Sequence, residues 1–466
     1  GCYNGTARGG GKGLAEPLKY FIYTFGCQMN ERDSETLAGF CENLGYVKTD
    51  LLGEADLVIL NTCCVRANAE NRIYGHIGNL KPLKQMRPEV IIAVCGCMAQ
   101  EPSERERIKA AHPHVDLIFG PQNLHEFPAL LERVLRGEGR VVEVDLGPGE
   151  IHEDLPVKRA SNLKAWVTVM QGCDNFCAYC IVPFVRGRER SRRPEKIVAE
   201  VEDLVAEGIK EVTLLGQNVN SYGRDLGAEG IDFAELVRRV DAVPGLLRLR
   251  FTTSHPKDLS DRLIAAMAEC PTVCEHIHLP VQAGSDRILA RMNRQYDRRR
   301  YLELVARLRE AIPSIAITTD IIVGFPGETE EDFALTLSLV REVGFDGAFT
   351  FAYSPRLGTK AASMDGQVPE EVRQERLYRL IEVVNEVSRA KNEELRGKVE
   401  EVLVEGPSER NTAVWCGRTR GNKLVLFPGP AAAGTLLPVR NTDPQTWTLH
   451  GVPAISNERL TPGAPF

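Results

Sequence analysis

The chain has 466 residues, 43% hydrophobic and 26% charged, which is the composition of a soluble globular protein whose several domains can each bury a core. No apolar run approaches the roughly 18 residues of a membrane span, and the Gly- and Lys-rich amino terminus lacks the apolar core of a signal peptide. With 57 Lys and Arg against 64 Asp and Glu, the net charge of −7 leaves any contact with nucleic acid to local basic patches.

Residues 1–16 contain GGGKG (Gly9–Gly13), but no strand precedes it and Leu14 follows Lys12, so it is not a phosphate loop. We expect a flexible tail there, Cys2 included. Residues 18–136 alternate strand and helix, with strands expected over Lys19–Cys27, Leu57–Cys63, Val90–Cys97 and Leu117–Gly120. Such βαβα repetition predicts an α/β domain, an open parallel sheet flanked by helices. Residues 137–163 read as a connector. Over 164–395 the alternation resumes, with strands expected at Ala165–Gln171, Glu211–Gln217, Leu247–Thr253, His276–Gln282, Ile317–Phe325 and Ala348–Ser354, and a last helix at about Pro369–Leu395. Six β/α units predict a (β/α)6 partial barrel, open on one side. Residues 396–463 change to short strands and turns, the pattern of a small all-β barrel.

The chain has 13 cysteines. An odd number without a secretion signal points away from a disulfide framework and toward metal or redox chemistry. Cys173, Cys177 and Cys180 form a C-x3-C-x2-C run directly after the first barrel strand, where loops line the active face. Three thiolates on one loop can hold three irons of a [4Fe–4S] cluster and leave the fourth open. A zinc site is the alternative, but it usually closes with a fourth Cys or His nearby. Cys27, Cys63 and Cys97 each fall at the carboxyl end of a predicted strand, the edge where open parallel sheets bind ligands. They can converge on a second cluster, again with one iron open. Cys41, Cys64, Cys95, Cys270, Cys274 and Cys416 read as packing thiols, although Cys64 and Cys95 could exchange places with their neighbours, and Cys270 with Cys274 could form a C-x3-C metal pair.

The C-x3-C-x2-C run after the first strand of a six-unit barrel resembles the radical S-adenosylmethionine superfamily. TFGCQMNERDSE (Thr24–Glu35), NTCCVR (Asn61–Arg66), CGCMAQ (Cys95–Gln100), LLGQNVNSYG (Leu214–Gly223), HLPVQAGSDRIL (His278–Leu289) and DIIVGFPGET (Asp320–Thr329) resemble its methylthiotransferase family. The terminal barrel resembles a TRAM domain, an RNA-binding module. CQMN-x2-DSE is the variant typical of the branch acting on N6-isopentenyladenosine beside the tRNA anticodon. The resemblance implies two [4Fe–4S] clusters and S-adenosylmethionine as cofactors. Cys173, Cys177 and Cys180 would generate the 5′-deoxyadenosyl radical, and the second cluster would carry the sulfur. One S-adenosylmethionine would donate the methyl group and another the radical, because carbon 2 of adenine is unactivated. By resemblance and strand-end position, Tyr179, Gln217, Asn218, Gln282 and Asp320 would hold S-adenosylmethionine, with Gly324 allowing close backbone approach; the alternative for each is a core or loop-capping role. The resemblance further implies a cytoplasmic monomer that meets the tRNA anticodon stem-loop, an electron donor such as flavodoxin or ferredoxin, and iron–sulfur assembly or sulfur-donor proteins, and no membrane.

RGRERSRR places Arg186, Arg188, Arg190, Arg192 and Arg193 within eight residues, just after the cysteine loop, a density suited to phosphates. A second run, Arg291, Arg294, Arg298, Arg299 and Arg300 with Tyr296 and Tyr301, reads equally as RNA contact or an exposed helix face. In the terminal barrel, Arg418, Arg420 and Lys423, near Trp415 and Phe427, are expected to touch RNA. Two other readings remain: a sister methylthiotransferase acting on threonylcarbamoyl-adenosine or a ribosomal protein, and a non-catalytic cluster carrier or RNA-binding protein.

Overall fold

Two strands that are buried on both faces organise the first sheet. They read LVILNT and IIAVCG, the continuous apolar runs that central strands of a covered parallel sheet require. The computed structural model describes residues 16–64, 67–144, 151–227 and 230–454. The tail with Cys2 and GGGKG, Val65 and Arg66 of the NTCCVR motif, residues 145–150 of the expected connector and 455–463 of the terminal segment lie outside these.

The sheet contains β1 (Lys19–Thr24), β2 (Val47–Lys48), β3 (Leu57–Thr62), β4 (Ile91–Gly96), β5 (Leu117–Phe119) and β6 (Val141–Glu143) in the order β2-β1-β3-β4-β5-β6. All pairs are parallel, and apolar clusters cover both faces. β1, β3 and β4 are adjacent, so their carboxyl ends stand side by side at about 4.8 Å per strand. The expected connector is corrected at its start: β6 lies inside it. Three residues carry no readable period, and their order comes from pairing with β5 and burial of Val141 against that core.

The central unit is an arc of parallel strands in sequence order. β7 (Lys164–Thr168), β10 (Glu211–Leu215) and β11 (Arg248–Thr252) form one half. β12 (His276–His278), β13 (Ala316–Val323) and β14 (Gly347–Ala352) form the other. A bridge between Leu249 and Val273 joins the halves. Helix Glu370–Glu393 closes the arc against β14. Within the first loop, β8 (Met170–Gln171), the end of the strand expected over Ala165–Gln171, pairs with β9 (Arg190–Ser191), which is absent from the expected elements, and the pair ties together both ends of the cysteine loop.

The terminal unit is a closed barrel of β15 (Val399–Ser408), β16 (Asn411–Thr419), β17 (Leu424–Pro428), β18 (Leu436–Pro444) and β19 (Thr448–Pro453) around Val402, Val404, Val425, Phe427, Val439 and Leu449. It docks under the amino-terminal ends of the central strands. Arg248, fully buried, donates to the carbonyls of Arg418 and Glu401, and Arg250 donates to those of Thr419 and Arg420.

Candidate active site

Polar residues of the CQMN-x2-DSE and NTC segments fasten the strand ends together. Asn30 donates from Nδ2 to Asn61 Oδ1 at 3.0 Å and to the Thr62 carbonyl at 3.1 Å, and Asn61 Nδ2 returns bonds to the Asn30 carbonyl and Ser34 Oγ. Thr24 donates to Ser34. Buried polar groups satisfied in this reciprocal way fix one geometry. On this frame Cys27 caps helix Gln28–Asn43, Cys63 follows β3, and Cys97 opens helix Cys97–Gln100 after β4. A Cβ on Gly26 would lie 2.5 Å from Cys63 Cβ, which puts Cys63 against the turn that carries Cys27. Cys27 and Cys97 are within electrostatic range of each other.

The Cys64 thiol beside it, and then the Arg186 guanidinium, hold Cys97 down to about 6 against the burial that opposes its charge. Cys27 is an exposed residue, yet packing around its sulfur raises its pKa, with Arg186 opposing. Cys95 lies in the apolar cluster of the opposite sheet face from Cys97 and so cannot take its place; Cys64 shares the Cys97 face. Cys41 is core packing, Cys270 sits beside Asp241 with burial pushing it up to about 11, and Cys274 packs beside Arg250.

Gly96, at φ 91°, turns the chain into Cys97, and a Cβ there would lie 2.3 Å from the Thr62 carbonyl oxygen. Gly96→Ala is therefore expected to cost ~1–3 kcal/mol and to lower the thermal midpoint by calorimetry, with a matching loss of iron bound at this end of the sheet.

In the central unit, Cys173, Cys177 and Cys180 lie within electrostatic range of one another on the clamped loop, and burial raises Cys173 to about 11. A buried arginine of the second basic run reaches them. Arg294 donates from Nη1 to Cys177 Sγ at 3.3 Å, from Nη2 to the Pro280 carbonyl at 2.8 Å, and from Nε to Tyr296 Oη at 2.9 Å. Tyr179 is packed edge-on to Phe325 with its hydroxyl 3.5 Å from Arg294. Among the described residues no three His, Cys, Asp or Glu side chains close around a single ion. Neither cysteine set is thus a ready mononuclear zinc site. A cluster, in which each thiolate meets its own iron, asks for wider spacing, and thiolates that accept N–H donors are its usual surroundings. The donor sets fit such a group.

Several polar atoms near the carboxyl ends of the central strands are buried without a hydrogen-bond partner: Gln217 Oε1, Gln282 Oε1, Ser254 Oγ and His255 Nε2. Orphaned polar groups of this kind, the two glutamine oxygens as acceptors and His255 Nε2 as a donor because its Nδ1 accepts from the Lys257 amide, suit a polar ligand such as S-adenosylmethionine. Gln282 holds φ 71° and bridges to β13 through the carbonyl of Asp320, whose carboxylate lies 3.4 Å from His278 Nε2. Two expectations are corrected. Asn218 donates to Asp258 at 2.8 Å and accepts from the His255 amide at 3.2 Å, so its amide group braces two loops. The space at Gly324 is taken by Arg373, whose Cγ would lie 2.2 Å from an added Cβ.

The basic run after the cysteine loop divides. Arg186 is buried, ion-paired with Asp33 at 2.7 Å and donating from Nε to Cys97 Sγ at 3.3 Å. Arg192 is half-buried between Glu153 and Glu200, both at 2.7 Å, in a network that Arg32 and Arg159 extend to Glu35. These two are corrected from phosphate contacts to internal ion pairs. Arg190 donates to the Arg186 carbonyl. Arg188 and Arg193 are exposed, Arg188 with a contact to Asp174 at 2.7 Å. Arg188 also lies over Phe176, which with Phe184 forms an exposed edge-to-face pair at 6.2 Å. That aromatic surface beside the cysteine loop is unforeseen, although its FC and PFV residues were in view.

In the second run Arg298 is held by Glu342 and carbonyls, whereas Arg299 is exposed with a contact to Glu303. In the terminal barrel, Arg420 pairs with Glu275 at 2.7 Å, Lys423 with Asp346 at 2.8 Å, and Arg418 leans on Glu405. The expectation that Arg420 and Lys423 touch RNA is corrected, since both pair with acidic residues of the central unit, whereas Arg418 stays within the barrel and partly exposed. A recess of about 150 Å³ is lined by Cys64, Glu101, Ile181, Pro355, Arg356 and Leu357 among others, so it touches the sequence neighbours of Cys63 and Cys180.

Three family models match: the Radical SAM superfamily over residues 167–340, Uncharacterized protein family UPF0004 over 19–120, and the TRAM domain over 393–453. The tRNA-2-methylthio-N(6)-dimethylallyladenosine synthase of Acetivibrio thermocellus is 58% identical over 433 residues, 93% of this chain and 90% of that protein. The chain belongs to this synthase family. The synthase of Moorella thermoacetica is 54% identical over 92% of the chain and 97% of its own length. Among solved structures, the radical S-adenosylmethionine methyltransferase TsrM of Kitasatospora setae aligns with TM-score 0.53 at 15% identity, covering 74% of this chain and 75% of its own. That likeness is one of fold. No described helix of this synthase-family chain is long and apolar enough to cross a membrane.

Proposed function

We propose that this chain places a methylthio group on carbon 2 of N6-isopentenyladenosine beside the anticodon of tRNA, with Cys173, Cys177 and Cys180 holding one [4Fe–4S] cluster and Cys27, Cys63 and Cys97 a second. The observation that carries the reading is the pair of cysteine sets at strand carboxyl ends in a chain 58% identical to a tRNA-2-methylthio-N(6)-dimethylallyladenosine synthase. When bound, the clusters and S-adenosylmethionine supply the electron, the radical and the methylthio group. The chain's own residues bind and orient. Arg294 fixes Cys177 and Tyr179, and Gln217, Gln282 and Asp320 offer polar atoms at the strand ends. Phe176 and Phe184 with Arg188 and Arg193 give stacking faces and charge for unpaired nucleotides that flank a flipped-out base. The terminal barrel, docked away from the cluster face, meets tRNA with surfaces other than its docked loop. The reading includes cytoplasmic action as a monomer, an electron donor of the flavodoxin or ferredoxin kind, and sulfur from assembly proteins.

The test is nucleoside mass analysis after anaerobic turnover of reconstituted protein, with an anticodon stem-loop bearing either isopentenyl- or threonylcarbamoyl-adenosine. A methylthio mass gain with the first alone, lost in Cys173→Ala, is the expected result. A gain with the second alone moves the chain to the sister activity. No gain with either, while 5′-deoxyadenosine still forms, removes the substrate.

A further inference from the structure

Arg186 leaves one unit and ends in the other. It closes the short helix Val182–Val185, six residues after Cys180, and its side chain crosses to the amino-terminal sheet. There Nε donates to Cys97 Sγ at 3.3 Å and Nη2 lies 2.7 Å from Asp33 Oδ2. The segment that carries it is part of the same core: Ile181 and Val185 are buried with Cys64, Cys97 and Met98 in one apolar cluster. The backbone is fixed as well, since Arg186 NH bonds to the Val182 carbonyl and the Cys173 NH to that of Gly187. Burial opposes the charge on Arg186, and Asp33, Cys97 and Cys27 more than offset it. A guanidinium with 4% exposure and one carboxylate partner is costly to retain for stability alone.

We infer that Arg186 is a positioning residue for the amino-terminal cluster, a cation supplied by the loop of the other cysteine set that partly neutralises the thiolates at Cys97 and Cys27 and raises the reduction potential there. The inference rests on the reading that Cys27, Cys63 and Cys97 hold a cluster. Reduction adds a negative charge to a cluster, so a fixed cation and an N–H donated to a ligand sulfur both favour the reduced form. Asp33 works in the opposite sense, holding the guanidinium in place while cancelling part of its field. Arg294 at Cys177 is the counterpart at the other set, but it comes from within the central unit. Arg186 alone of the two makes the cluster-bearing loop of one unit a wall of the other's site, so the amino-terminal set is complete only when the units are docked.

The experiment is potentiometric titration followed by electron paramagnetic resonance on full-length protein carrying Cys173→Ala, Cys177→Ala and Cys180→Ala, in which iron can be held only by the amino-terminal set. Adding Arg186→Gln is expected to move the midpoint to more negative potential, Arg186→Lys to move it less, and Asp33→Asn to move it to more positive potential. Opposite signs for the Arg186 and Asp33 variants are a response that mere loosening of the fold would not give. If Arg186→Gln fails to fold by circular dichroism, Asp33→Asn still decides by its sign. Midpoints equal within error, or shifts of one sign in Arg186→Gln and Asp33→Asn, would overturn the inference while leaving the cluster reading intact. Failure of the triple-Ala parent to take up iron overturns both.

Discussion

Cys177→Ala is expected to abolish both the cleavage of S-adenosylmethionine and the methylthiolated product. The change removes one of three thiols on the clamped loop and the sulfur that accepts from Arg294. Loss of a partner around a metal group typically costs ~10–100-fold, and loss of a ligand itself exceeds that range. Anaerobic assay of 5′-deoxyadenosine by chromatography checks it. Arg294→Gln serves as the graded control, expected within the ~10–100-fold range, because the three cysteines stay while the donor to Cys177 weakens. Wild-type levels of 5′-deoxyadenosine in Cys177→Ala would remove the central loop from the chemistry.

Cys97→Ala is expected to separate the two activities. Cleavage of S-adenosylmethionine persists, since the central set is intact, but the methylthiolated nucleoside is lost and the ratio of 5′-deoxyadenosine to product rises by more than ~100-fold. The variant also strands Arg186, whose remaining charged partner is Asp33, so a lower thermal midpoint accompanies the loss. Equal loss of both activities would instead mean that the amino-terminal set acts on the central loop through structure, by way of Ile181 and Val185 in the shared core.

The parts legible in the sequence were those written in local patterns. Cys173, Cys177 and Cys180 stand on one loop, so their spacing alone brings them together. Cys27, Cys63 and Cys97 are far apart in sequence, yet each ends a strand of a parallel sheet, and topology aligns such ends. The order β1-β3-β4 that makes them neighbours is not written locally. β6 was hidden because three residues carry no period, and β9 because a two-residue strand has no signature of its own.

Charge was the least legible property. Reading RGRERSRR as a run of phosphate contacts assumed that neighbouring arginines share an environment. The β9 clamp and the short helix before it turn Arg186 and Arg192 inward while Arg188 and Arg193 stay outside. Arg294 sat in a run split between RNA contact and helix face, and it is buried against a cysteine of the other motif. The same holds for residues 417–423 of the terminal barrel, whose carbonyls accept from Arg248 and Arg250 and whose Arg420 and Lys423 meet Glu275 and Asp346. Partners distant in sequence decide whether a cation faces a phosphate or a carboxylate.

The central claim is that two separate cysteine sets each hold a four-iron cluster. Iron and acid-labile sulfide per chain, measured after anaerobic reconstitution, test it most directly. Wild-type protein is expected to bind about eight irons, and Cys27→Ala/Cys63→Ala/Cys97→Ala and Cys173→Ala/Cys177→Ala/Cys180→Ala about four each. About four irons in the wild type, or an unchanged count when the amino-terminal set is removed, would contradict the account.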